Sequence, residues 1–251
     1  MTMHTTRRAW AARVAAGLLA LQLQAAPAAD ATGASCPPNP AAPTAEAVQQ
    51  AAAAARDRGL LWRIERDGRT SWLYGTIHVG RFEWLFAGPT VRSALAGSER
   101  IALELDITDP AIAQQLQALS SRPIELPEAL RQRLAAQAER ACLPPEQLST
   151  MHPALQGITY TVLDARWDDL HSAWAQEMML AGYARRMQRP IISLETPQMQ
   201  IDALIPDDPA EVRRLVEQAL DQLEQGKVRP MMRRLAEAWE RGDLEDMAAY
   251  E

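Results

Sequence analysis

"LLWRIERDGRTSWLYGTIH", residues 60–78, decides the fold of this chain. Two runs rich in aliphatic, aromatic and β-branched residues flank Asp67-Gly68. That dipeptide favours a two-residue hairpin turn, because both central positions need positive φ. The second run ends on Gly75-Thr76-Ile77-His78, so a stretch that reads as core closes on an imidazole.

Working outward, "GPTVRSALAGS" at 88–98 predicts a helix stopping near Gly97, and "ERIALELDITDP" at 99–110 a strand bounded by Asp109-Pro110. Residues 110–189 carry helical periodicity, including "LPEALRQRLAAQAERACL" at 126–143, with Pro127 suited to a first turn. "RPIISLET" at 189–196 predicts a short strand, after which Thr196 caps a helix that has Pro197 at its first position. Further amphipathic helices follow, the last of them opened by Asp243. This order predicts a mixed α/β (α+β) fold: a small, mostly parallel sheet with an N-terminal hairpin and a large helical insertion. The strands ending at His78, near Glu104 and near Glu195 are expected to run parallel, so that their carboxyl ends gather in one crevice.

The flanks read differently. Residues 1–29 have a basic start (Arg7, Arg8, Arg13), a short apolar run and small residues around Ala26-Pro27-Ala28, the layout of a secretory signal. The run is too short to span a bilayer, so no stable membrane anchor is expected after cleavage. Residues 30–58 form a Pro/Ala-rich tail leading into a short helix, and the domain proper occupies 59–251. The 251 residues carry a net charge of -6, with no basic surplus of the kind a nucleic-acid surface needs. The arginine pairs Arg185-Arg186, Arg213-Arg214 and Arg233-Arg234 read as solvated helix faces. Cys36 and Cys142 could pair in an oxidising compartment, which the chain-entropy model values at about 4 to 5 kcal/mol, or remain two free thiols.

Chemistry concentrates at the three strand ends: Gly75-Thr76-Ile77-His78, Glu104-Leu105-Asp106 and Leu194-Glu195-Thr196. An imidazole with carboxylates suits zinc, manganese or iron, or a general base with orienting partners. Gly75 would let a backbone or a ligand approach closely. The alternative is that the acids cap the following helices, which suits Asp109 and Thr196 well, Asp106 moderately and His78 poorly. Asp164, Asp168, Asp169 and His171 read as a polar helix junction rather than a cation site, and His152 as a loop residue. Met178-Met179 and Met231-Met232 read as core fillers. No GxSxG, HExxH or phosphate-binding loop is present.

"LWRIERDGRTSWLYGTIHVG", then "ALAGSERIALELDITDP" and "AGYARRMQRPIISLETPQMQIDAL", resemble the TraB/GumN family, to which the animal Tiki proteins are related. The Tiki proteins are metal-dependent proteases, and the family pattern has two GxxH motifs and a glutamate at the site. Carried over, the resemblance makes His78 the first GxxH histidine, Glu104 the glutamate and Glu195 a supporting residue. It implies an exported metal-dependent hydrolase or peptidase, periplasmic or secreted, that acts on a peptide or small molecule. His78 and Glu104 would hold a divalent ion (Mn, Co, Zn or Fe), Glu104, Glu195 and Asp106 would serve catalysis, and Gly75 and Thr76 would form the site loop. No histidine follows His171, so the second GxxH and its strand are expected to be missing and the site incomplete. The alternative on the same fold is a non-catalytic periplasmic binding or regulatory protein.

Overall fold

The computed structural model describes residues 36–122 and 124–249; the expected leader at 1–29 lies outside the described residues. The tail enters through helix α1 (Ala45–Ala53), whose Thr44 hydroxyl accepts from Ala47 N. Strands β1 (Leu61–Arg66) and β2 (Arg69–Tyr74) then pair antiparallel, closed by the Arg66↔Arg69 pair. Asp67 and Gly68 hold φ of 50° and 71°, as a type I′ turn requires. Helix α2 (Pro89–Gly97) leads to strand β3 (Ile101–Leu103). Four helices follow: α3 (Pro110–Ser120), α4 (Glu128–Arg140), α5 (Pro153–Asp164) and α6 (Gln176–Arg186). They form the crossover to β4 (Ile191–Ser193), which pairs parallel to β3 with Ile101 opposite Ile191. Helices α7 (Pro197–Leu204), α8 (Pro209–Glu224), α9 (Val228–Arg241) and α10 (Leu244–Ala248) complete the described chain.

Local sequence explains most of these boundaries. Helices α3, α7 and α8 each begin with proline, whose missing N–H costs nothing in a first turn, behind Asp109, Thr196 or Asp208 as a side-chain cap. Pro127 sits one position earlier than expected, as the cap residue of α4 rather than inside its first turn. His152 lies in the loop before α5, as expected, but is only 4% exposed and caps that helix, its Nδ1 accepting from Ala154 N at 3.3 Å.

The fold is mixed α+β, as expected, but the strand leading to His78 does not join the parallel pair. Among the described residues β1–β2 and β3–β4 are separate two-stranded sheets. The backbone beyond Tyr74 is committed elsewhere. The Gly75 carbonyl accepts from Trp239 Nε1 at 2.8 Å, and the Ile77 carbonyl from Gln176 N at 3.1 Å. Those acceptors are therefore not free for a ladder with β3.

Four apolar clusters hold these elements. Leu130, Leu134, Tyr160, Val216 and Leu220 knit α4, α5 and α8, while Leu105, Leu116, Leu155 and Ile201 join α3, α5 and α7 behind β3. Val79, Trp84, Leu170 and Trp239 seat the segment after the hairpin against α9. Val91, Leu103, Met179 and Leu180 pack α2, β3 and α6 together. The methionines are fillers here, Met179 in that last cluster and Met232 against two of the others.

Cys36 and Cys142 form a disulfide, with Cα atoms 5.8 Å apart. Beside it the buried Arg166 donates to the Ala141 carbonyl at 2.7 Å and to Asn39 Oδ1 at 3.0 Å, fastening the tail. The acidic junction is held by two ion pairs, Asp164 with Arg229 at 3.2 Å and Asp168 with Arg233 at 2.9 Å, and by a hydrogen bond between His171 Nε2 and Asp169 Oδ1 at 3.1 Å. No helix among the described residues is long and apolar enough to cross a membrane.

Candidate functional site

Residues 75–78 belong to no ladder and bend at His78, yet burial still alternates along the segment. Ile77 and Val79 are buried in the cluster around Trp84 and Trp239, which turns His78 to the other side. On β3 the same alternation buries Ile101, Leu103 and Leu105 and leaves Glu104 half-buried on the opposite face. His78 Nε2 thereby stands 4.0 Å from Glu104 Oε2, so the two strand ends meet although their strands do not pair.

The third member comes from a helix. Gly80 and His171 form an isolated antiparallel bridge, with bonds of 3.0 and 2.8 Å between their N–H and C=O groups. Gln176 N donates to the Ile77 carbonyl, and these three bonds lay the first turn of α6 against residues 77–80. There Glu177 Oε1 lies 2.9 Å from His78 Nδ1, with the Glu177 side chain only 5% exposed. The distance is that of an ion pair, while the angle misses a straight hydrogen bond. Neither His78 Nδ1 nor either Glu177 oxygen makes a well-aligned hydrogen bond. The chain's own backbone makes its close approach at Gly80 rather than at Gly75. A Cβ at Gly75 would meet its neighbours at 3.8 Å, an ordinary contact, but one at Gly80 would sit 2.3 Å from the Trp174 carbonyl oxygen.

Electrostatics follow from this placement. Burial opposes the charge on His78, but the Glu177 carboxylate, with Glu104 beyond it, holds its pKa above the ordinary histidine value. Glu177 is likewise opposed by burial. The His78 imidazole, with lesser help from its own N–H and the Thr76 hydroxyl, keeps it ionised and below the usual carboxylate range. Glu104 is pushed up, first by burial and then by repulsion from Glu177 and Glu195, against the pull of His78. Two carboxylates therefore act on one imidazole and a third, Glu195, acts on Glu104, which leaves the site short of positive charge.

Of the residues expected at the site, His78, Glu104 and Thr76 come together, and Glu195 lies close enough to act on Glu104. Glu195 N also donates to the Glu104 carbonyl at 2.9 Å, tying the two strand ends. Asp106 is held elsewhere: its carboxylate takes Arg185 Nη2 at 3.1 and 3.3 Å together with the Thr108 N–H and hydroxyl, and its N–H donates to Ser193 Oγ. Glu177 went unrecognised in the sequence. Its signal is a charge on the stripe it shares with Leu180, Ala181 and Ala184, all buried in α6.

For a divalent ion the donor types fit. Two donors on a tetrahedral ion with bonds of ~2.0 to 2.2 Å stand about 3.3 to 3.6 Å apart, so His78 Nε2 and Glu104 Oε2, 4.0 Å apart, would close slightly to share one. Among the described residues no group of three His, Cys, Asp or Glu side chains is placed to hold an ion together.

A protein-family model described as the TraB/PrgY/gumN family matches residues 60–251. No curated protein and no solved structure matches the chain.

Proposed function

The chain belongs to the TraB/PrgY/gumN family, and from that premise and the geometry above we propose that it serves metal-dependent hydrolysis of a peptide or related small carbonyl substrate. One observation carries the reading: a largely buried imidazole held between two carboxylates, with a third acting on the outer one. His78 Nε2 and Glu104 would hold the ion (Mn, Co, Zn or Fe), and the local shortage of positive charge supports a cation there. When bound, such an ion polarises a carbonyl and lowers the pKa of water. Glu104, with its proton affinity raised, would move a proton through the carboxylate oxygen that the ion leaves free. Glu195 reinforces that property by repulsion. Asp106 takes a structural part, because Arg185 and Thr108 already occupy its carboxylate.

A second reading, a protein that binds in this crevice without turnover, is favoured by the count of converging donors, which stops at two among the described residues. Under either reading the Cys36–Cys142 disulfide supports an oxidising, exported setting.

Equilibrium dialysis of the full chain against Zn2+, Mn2+, Co2+ and Fe2+ tests the proposal, paired with mass spectrometry of a peptide mixture. We expect metal bound by the wild type, lost in His78→Ala and weakened at least about 10-fold in Glu104→Gln. Metal retained in His78→Ala, or none bound by the wild type, would overturn it. Metal without peptide cleavage would favour the binding protein.

A further inference from the structure

We propose that Glu177 is the positioning residue of this site, holding the His78 imidazole by Nδ1 so that Nε2 is presented toward Glu104. The purpose of that arrangement rests on the metal-dependent reading above; the arrangement itself does not.

The two nitrogens of His78 meet different surroundings. Nδ1 faces inward, 2.9 Å from a carboxylate that is 5% exposed. Nε2 faces outward, 4.0 Å from a carboxylate that is 36% exposed. The inner contact is a tether shielded from solvent, and the outer one is open to exchange. An imidazole that gives its Nδ1–H to a carboxylate keeps the Nε2 lone pair free and more basic, the arrangement in which histidine serves as a ligand or a base.

Glu177 has no other evident task. Burying an ionised carboxylate is costly without a counter-charge, and no arginine or lysine among the described residues pairs with this one. Its compensation comes from His78 and from its place in the first turn of α6, an eleven-residue helix whose N-terminal end favours negative charge. Its own N–H and the Thr76 hydroxyl stand beside it as well, but of these neighbours the His78 imidazole alone can carry a compensating charge.

The chain also fixes the distance between the two residues. The Gly80–His171 bridge and the Gln176 N–H on the Ile77 carbonyl clamp the start of α6 to the segment carrying His78. That clamp depends on Gly80, because a side chain there would strike the Trp174 carbonyl oxygen at 2.3 Å. The glycine two residues after the histidine thus serves the acid that faces the histidine.

The test uses the full chain with Glu177→Gln, an isosteric change that removes the charge. Long-range 15N–1H spectra at alkaline pH report the imidazole tautomer, competition titration reports Zn2+ affinity, and thermal unfolding reports the fold. We expect wild-type His78 as the Nδ1–H tautomer. In Glu177→Gln we expect a mixed tautomer, Zn2+ affinity lower by about 10- to 100-fold and cooperative unfolding retained. An Nε2–H tautomer in the wild type overturns the proposal, as do an unchanged tautomer and unchanged Zn2+ affinity in the variant. If the wild type binds no Zn2+, the metal-dependent reading falls, while the tautomer still decides the role of Glu177. If the variant does not fold, the wild-type tautomer decides alone.

Discussion

Burial by itself would strip the proton from His78, and the Glu177 carboxylate 2.9 Å away reverses that preference. The stability of each residue therefore depends on the other. Removing the imidazole leaves a buried carboxylate with no counter-charge, which typically costs about 3 to 5 kcal/mol. Neutralising that carboxylate as well removes the reason for the cost. We accordingly expect His78→Ala to be strongly destabilised in urea unfolding, and His78→Ala/Glu177→Gln to be more stable than His78→Ala despite its extra substitution. The reverse order would mean that Glu177 carries no buried charge. At this scale the sequence revealed what breaks a local pattern. His78, Glu104 and Glu195 stand out because each ends an apolar strand. Asp106 looked alike but is held by Arg185, a partner far along the chain that no local pattern discloses. Glu177 stayed hidden because an acid in a first helical turn reads as a partner for the helix dipole.

Helix α2 shows how elements depend on segments outside themselves. Its cap residue, Gly88, has no side chain to offer, and the upstream Asp57 caps it instead, taking Thr90 N at 3.1 Å and Val91 N at 3.0 Å. The backbones touch closely enough that a Cβ at Gly88 would fall 2.0 Å from Asp57 N. Partial burial works against the Asp57 charge, but the bonds from Thr90 and Val91, with Arg92 nearby, hold its pKa below the ordinary 3.8. The sign follows from that depression. The stabilisation is complete above the unfolded value and fades as pH falls below 3.8 through the folded one. We expect Asp57→Ala to cost about 0.5 to 2 kcal/mol at neutral pH. The deficit should shrink in acid, as urea midpoints from neutral pH down to about pH 3 would reveal. A deficit that does not change with pH would mean that the cap does not depend on the charge. Gly88→Ala should be costlier, because backbone rather than a flexible side chain must move. The proline-started helices and the Asp67-Gly68 hairpin were legible because their signals are local. Two features were not: that Asp57 caps α2, and that residues 75–78 give their carbonyls to Trp239 and Gln176 instead of to β3.

At the scale of the whole molecule, the element order was enough to read a mixed α+β fold with a helical crossover, since parallel strands need such a connection. Whether Cys36 and Cys142 pair could not be read, because pairing depends on a distance that only the packed fold sets. The bond links residues 106 apart in sequence, and a loop of that length is worth about 4 to 5 kcal/mol in the chain-entropy model. Set against a total stability of about 5 to 15 kcal/mol, that is a large share. Its location limits what else it can influence. Cys142 follows α4 and adjoins the apolar cluster of α4, α5 and α8, whereas His78, Glu104 and Glu177 lie on the elements around α6 and β3. Arg166 already ties Asn39 of the tail to Ala141, so part of the native geometry should outlast the loss of the bond. We therefore expect Cys36→Ser/Cys142→Ser to lower unfolding stability by about 3 to 5 kcal/mol while leaving Zn2+ affinity within about twofold of the wild type. Urea unfolding and Zn2+ competition titration on the same preparation measure both. A parallel loss of metal affinity would show that the two regions fold and bind as one unit, and that the site draws its rigidity from the tethered tail.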